Sequence, residues 1–127
     1  MPTSRRVLIV DDFPALVELL TVALTDRNYD VQTAPNGARC LEILRAGFTG
    51  VVLLDVQLPD TSGLDLLDVI KTEMPIIPVI MITAHASVEN AIEATRRGGF
   101  DFVPKGDSIT ERLEVSLENA FDHLALK

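Results

Sequence analysis

A chain of 127 residues is the size of one domain and can bury a real core. Apolar residues make up 47% and aromatic residues 5%, so that core must be aliphatic, and a net charge of −8 excludes the basic surface that nucleic-acid phosphates require. One cysteine, Cys40, excludes an internal disulfide, and no apolar run is long enough for a bilayer; a soluble, cytoplasmic protein with no membrane or direct nucleic-acid partner is expected.

The apolar pattern switches between short continuous runs and helical spacing. Val7-Leu8-Ile9-Val10 is the first run, and it predicts a strand buried on both faces, with Asp11-Asp12 at its end. A helix over Pro14–Asp26 follows, with Leu16, Leu19, Leu20, Ala23 and Leu24 assigned inward and Asn28 suited to a left-handed stop. Asp30 to Thr33 is the second predicted strand. The second helix starts after Asn36-Gly37 and carries Ala38, Leu41 and Leu44, with Cys40 as a small core residue. Val51 to Leu54 is the third strand and delivers Asp55 at its end. The third helix follows Ser62-Gly63, carries Leu64, Leu67 and Ile70, and stops before Pro75. Pro78 to Ile82 is the fourth strand, ending on Thr83. Ser87 caps a fourth helix with Val88, Ala91, Ile92 and Thr95 inward, closed by Gly98-Gly99. Phe102-Val103 is a short fifth strand leading to Lys105. The last helix runs from Ser108 or Ile109 to Ala125 on Leu113, Leu117 and Phe121, and His123 near its end faces solvent or favours the helix dipole.

Strict alternation of strand and helix implies a parallel sheet with right-handed crossovers and helices on both faces, one domain over 1–127. Ligands bind at the carboxyl edge of such sheets. Asp11, Asp12, Asp55, Thr83 and Lys105 all stand at strand ends and meet there. Three acids at one point raise one another's pKa values unless a cation is present, so the set predicts a divalent metal site and leaves Asp55 as a nucleophile. With a lysine and a hydroxyl added, the edge suits a phosphoryl group, whose transfer depends on positioning and charge stabilisation.

The chain closely resembles the receiver domain of two-component response regulators. The matching residues are Leu8 to Asp12, Leu54-Asp55-Val56-Gln57-Leu58-Pro59-Asp60-Thr61-Ser62-Gly63, Ile82-Thr83-Ala84, and Gly98-Gly99-Phe100-Asp101-Phe102-Val103-Pro104-Lys105. The resemblance spans about Arg6 to Leu117 and implies a flavodoxin-like doubly wound α/β fold with five parallel strands in the order 2-1-3-4-5. It implies that Asp55 is the phosphoacceptor and that magnesium is held by Asp12 directly, by Asp11 largely through water, by Asp55, and by the Gln57 backbone carbonyl. It implies that the Thr83 hydroxyl and the Ala84 N–H contact phosphoryl oxygens, that Lys105 pairs with the group, and that Thr83 and Phe102 act as the switch. The partners implied are a sensor histidine kinase or phosphotransfer protein of a phosphorelay, a downstream effector domain or protein, and a second copy in a phosphorylation-dependent homodimer. The chemistry implied is self-phosphorylation and self-dephosphorylation in a signalling switch, not metabolic catalysis.

Two departures stand out. Gly106 follows Lys105 where the family usually has proline, often through a cis peptide; a non-proline cis bond costs about 2.5–4 kcal/mol, so a trans bond is expected, with Gly106 at a backbone angle closed to proline. Gly99 replaces a common alanine and is expected to loosen its turn. Asp60 and Asp65 read as solvated acids, with Asp60 adding to the local field. Gln57 and His85 read either as exposed loop groups or as flanking positions that tune loss of phosphate. The alternatives are a haloacid-dehalogenase-type magnesium-dependent phosphatase and a pseudo-receiver that never takes phosphate. The first needs an acid two residues after its nucleophile, where Gln57 stands; loss of an acid or of Lys105 would have favoured the second. A flavin site would need a phosphate-binding loop after the first strand, where Asp11-Asp12 repels phosphate.

Overall fold

Alternate residues of the apolar runs part to opposite faces of one sheet, and each face is covered by its own helices. The computed structural model describes residues 5–126. In chain order its elements are β1 (Arg5–Val10), α1 (Pro14–Asp26), β2 (Tyr29–Ala34), α2 (Gly37–Arg45), β3 (Val51–Asp55), α3 (Gly63–Glu73), β4 (Val79–Thr83), α4 (Val88–Arg96), β5 (Asp101–Pro104) and α5 (Ile109–Ala125). The strands are all parallel in the order β2-β1-β3-β4-β5, as expected. Val7, Ile9, Leu53, Ile80 and Ile82 pack under α1 and α5, with Leu20, Leu24, Leu113 and Leu117. Leu8, Val10, Leu54 and Met81 pack on the other face, with Cys40, Leu44, Leu67, Ile70 and Ala94. Burial on both faces is why the central strands read as continuous apolar runs.

The helix starts follow the sequence signals. Asn36 Oδ1 accepts the Arg39 N–H at 2.8 Å, and Ser87 Oγ accepts the Asn90 N–H at 3.0 Å. Asn28 holds φ 69°, the left-handed stop expected after α1. Among the described residues no helix is long and apolar enough to cross a membrane.

Five inward assignments, on three helices, are corrected. Leu19 of α1 and Ala38 of α2 face outward, and α2 instead buries Cys40, Ile43 and Leu44. On α4, Val88 and Ile92 are 72% and 52% exposed and Thr95 is exposed, while Ala94 is the buried residue. Apolar residues occupy two sides of this short helix. The side carrying Ala94 is the one packed into the core, and the helix closes there with the Gly99 N–H bonded to the Ala94 carbonyl at 2.8 Å. A Cβ on Gly99 would sit 2.9 Å from that oxygen, so this glycine permits a tight turn instead of loosening one.

Leu53 is fully buried at the centre of β3. Leu53→Ala is expected to cost about 3 kcal/mol through lost burial and a residual cavity. The check is a lower urea midpoint with an unchanged slope.

Candidate functional site

The carboxyl ends of β1, β3, β4 and β5 surround a cleft of about 290 Å³ lined by Asp12, Asp55, Gln57, Thr83, Ala84, His85 and Lys105, with Phe13, Leu58 and Pro59. Val10 pairs with Leu54 in register, so Asp11 and Asp55 emerge side by side from neighbouring strands. Thr83 ends β4, and its carbonyl accepts the Lys105 N–H at 2.7 Å, which sets Lys105 beside it. Asp11, Asp12, Asp55, Thr83 and Lys105 are therefore brought together at this edge, Asp11 without lining the cleft itself; Phe102, expected as part of the switch, does not line it.

Asp11 is 2% exposed and Asp55 7% exposed, whereas Asp12 is open to solvent. Lys105 Nζ lies 2.9 Å from Asp11 Oδ2 and 3.4 Å from Asp55 Oδ2. Asp11 Oδ1 accepts the Phe13 N–H at 2.9 Å, while Oδ2, though near the ammonium, has no partner in hydrogen-bonding geometry. One carboxylate oxygen from each of Asp11, Asp12 and Asp55 lies within 4.8 Å of the others. An all-oxygen set of three carboxylates offset by a single ammonium fits a hard divalent cation.

The Asp55 carboxyl is held above its ordinary range, chiefly by burial and then by the charge of Asp11; Lys105 and the Gln57 N–H pull it partly back. Thr83 is buried, and its Oγ1 accepts the His85 N–H at 3.0 Å. Its own proton is committed to no acceptor among the described residues. Phe102 is half-buried, packed against the inner core beside Met81 and also lining a groove of about 440 Å³ with Glu111, Arg112 and Val115. Gln57 and His85 are both exposed at the cleft mouth.

The residues after Lys105 depart from expectation in one respect. No described peptide bond is cis, but Gly106 does not hold a left-handed angle, and its carbonyl accepts the Ile109 N–H at 3.1 Å as α5 begins. The ground for expecting a backbone angle closed to proline falls away. Asp60 is not merely solvated: its carboxylate accepts the Gly37 and Ala38 N–H groups at 2.9 and 3.0 Å, and these two bonds, Gly37 first, hold it below the usual carboxylate range. Asp65 pairs with Arg97 at 3.2 Å. Phe13 was not singled out from the sequence; its position directly after Asp11-Asp12 was the available signal.

The family model for the response regulator receiver domain matches residues 7–115. The chain is 37% identical over 98% of its length to the nitrogen assimilation regulatory protein NtrX of Azorhizobium caulinodans, covering 28% of that protein. It is 42% identical over 81% of its length to the response regulator protein PilR of Pseudomonas aeruginosa, covering 23% of it. The chain thus spans about a quarter of the length of these two curated relatives. It matches the beryllofluoride-activated NtrC4 receiver domain dimer with a TM-score of 0.87 and 34% identity, over 94% of this chain and 98% of that one.

Since folded Asp55 keeps its proton to higher pH than an unfolded carboxyl, the metal-free protein loses stability as pH rises from the ordinary carboxylate range through the raised one. At neutral pH, Asp55→Asn is expected to stabilise the metal-free protein by about 1 kcal/mol, roughly 4 °C in Tm. The difference should vanish in acid, where both side chains are neutral. Thermal melts at the two pH values check this, and equal neutral-pH melting would count against the repulsion.

Proposed function

The chain belongs to the response regulator receiver domain family, and from that premise we propose that Asp55 is the phosphoacceptor of the signalling switch formed by residues 1–127. One observation carries the reading: a buried carboxylate at the end of β3 lies 3.4 Å from a lysine ammonium and opens onto a cleft that also holds a threonine hydroxyl.

The donor is a phosphohistidine on a sensor kinase or phosphotransfer protein. An Asp55 carboxylate oxygen attacks phosphorus, a P–O bond forms, the P–N bond breaks, and the departing imidazole takes a proton. Water later attacks the same phosphorus, releasing phosphate and restoring the carboxylate. Magnesium, held by Asp12, Asp55, the Gln57 carbonyl and, through water, Asp11, would supply positive charge against the phosphoryl oxygens. Lys105 shares its charge between Asp11 and Asp55 before reaction and turns to the phosphoryl oxygens afterwards. Thr83 offers its uncommitted proton and Ala84 its N–H to the same oxygens. Gln57 and His85, at the mouth, govern the approach of water.

The same local charge drives the switch. Thr83 moves toward the phosphoryl group, and Phe102 moves from the α5 groove into the space released, changing the surface of α4, β5 and α5 by population shift. The exposed Val88 and Ile92 of α4, with exposed Val115 of α5, support a surface there for an effector or a second copy. The net charge of −8 supports a domain that does not itself grip nucleic-acid phosphates. Gln57 in place of a second acid tells against the phosphatase reading.

Incubated with magnesium and acetyl phosphate, the intact protein should gain one phosphoryl group by mass spectrometry, and Asp55→Asn none; equal labelling of the variant would overturn the assignment. Asp12→Ala should weaken magnesium binding about tenfold or more and slow labelling in step, checked by titration. With beryllofluoride, amide signals of Thr83, Phe102 and α4 should shift in the wild type. In Thr83→Ala the shifts at α4 should shrink while phosphorylation persists; still signals in the saturated wild type would refute the switch.

A further inference from the structure

The loop of residues 56–62 carries Gln57, and its tip is fastened to a helix that contributes nothing to the cleft. Inside the loop the Leu58 N–H donates to the Thr61 carbonyl at 3.2 Å, and Gln57 pairs with Ser62 in an antiparallel bridge. These bonds fold the loop on itself but do not fix its tip. Asp60 does that. Its Oδ1 accepts the Gly37 N–H at 2.9 Å and its Oδ2 the Ala38 N–H at 3.0 Å, across 23 and 22 residues of chain. The N-terminus of α2 also has its own cap, Asn36, on the Arg39 N–H. The carboxylate is therefore a second cap, supplied by the loop and favoured by the partial positive charge of the helix start. Contact at this point is close. A Cβ on Gly37 would lie 2.7 Å from Thr61 Cγ2 and 3.4 Å from Asp60 Oδ1, so a larger residue there would push Thr61 aside.

We infer that Asp60 is a positioning residue for the cleft: by clamping the loop tip to the start of α2 it holds the Gln57 carbonyl in place beside Asp55. The inference rests on the reading of the metal site above. At the base of the loop, directly before Gln57, the Gly63 N–H is bonded to the Val56 carbonyl at 2.6 Å and the Val56 N–H to the Ile82 carbonyl at 3.1 Å, and the Gln57 N–H donates to Asp55 Oδ1 at 3.4 Å. The base of the loop is thus tied to the sheet, and among the described residues the tip is hydrogen-bonded to the rest of the fold through Asp60. Without the clamp the tip can shift, and with it the Gln57–Leu58 peptide that carries the Gln57 carbonyl, because its Leu58 N–H is bonded to the Thr61 carbonyl in the tip. A metal ligand supplied by backbone can be no better ordered than its loop.

The test is a magnesium titration followed by backbone amide NMR, with the metal-free spectra as an independent readout. Asp60→Ala should weaken magnesium binding about tenfold, the lower end of what outer partners of metal ligands contribute. Asp60→Asn, with a single acceptor oxygen, should recover part of it. Gly37→Ala, which displaces Thr61 while keeping the carboxylate, should weaken binding in the same direction. Asn36→Ala removes the helix's own cap and should lower Tm while leaving magnesium affinity within about twofold, as expected of a cap that serves only its own helix. In metal-free protein the Gln57 and Leu58 amides should shift in Asp60→Ala and stay still in Asn36→Ala. Unchanged magnesium affinity with a still Gln57 amide in Asp60→Ala would overturn the clamp, as would equal weakening by Asn36→Ala. A wild type that binds no magnesium would overturn the metal reading instead, and the metal-free Gln57 shift would still decide the clamp.

Discussion

Two buried carboxylates and one ammonium share the open end of an otherwise aliphatic sheet, and the rest of that end is arranged around their unbalanced charge. Asp11 and Asp55 cannot move apart, because they extend neighbouring strands whose register is locked by apolar residues packed on both faces. Lys105 offsets one of the two charges and leaves an excess of one. Burying charge without full compensation costs free energy in the resting fold. It also means that a cation or a phosphoryl group arriving with its cation meets a site already oriented, with little reorganisation left to do.

Backbone hydrogen bonds, more than side-chain contacts, keep this edge in place. The Val56 N–H reaches β4 through the Ile82 carbonyl, and the Lys105 N–H reaches it through Thr83. Gly63 lets α3 start directly against the backbone of Asp55 and Val56, where any Cβ would collide. The proposed nucleophile, Asp55, is thus carried on backbone held closely by its neighbours. The parts free to respond are side chains: the Thr83 hydroxyl, held only as an acceptor, and Phe102, set between the core and an outer groove.

The same contrast appears at the level of helices. α4 meets the sheet through Ala94 alone among its fully buried residues. Arg97, just past its end, adds ion pairs to Asp65 and Asp68 of α3 and to Glu93, all near the surface. Such pairs are individually worth little. A helix with one small fully buried side chain and a few exposed ion pairs costs less to displace than one with a full apolar face, which suits the switch proposed above.

The order of strands and helices, and the five residues at the carboxyl edge, were legible in the sequence because both depend on local pattern: apolar runs set the strands, and the residue after each run must emerge at one edge of a parallel sheet. Asn28, Asn36 and Ser87 were legible for a similar reason, since caps and stops are settled within a few residues. What the sequence could not decide was any contact between distant segments where no residue type points to its partner. Asp60 reads as a solvated acid until α2 is placed beside it, more than twenty residues away in the chain. The inward side of α4 was likewise open, because Val88 and Ile92 have the stronger claim to burial by size, and only the tertiary packing gives the place to Ala94. Gly106 offered a left-handed angle that the turn into α5 never uses. Local chemistry determined which groups reach the site; the packing of segments far apart in the chain decided what holds them and what is left free to move.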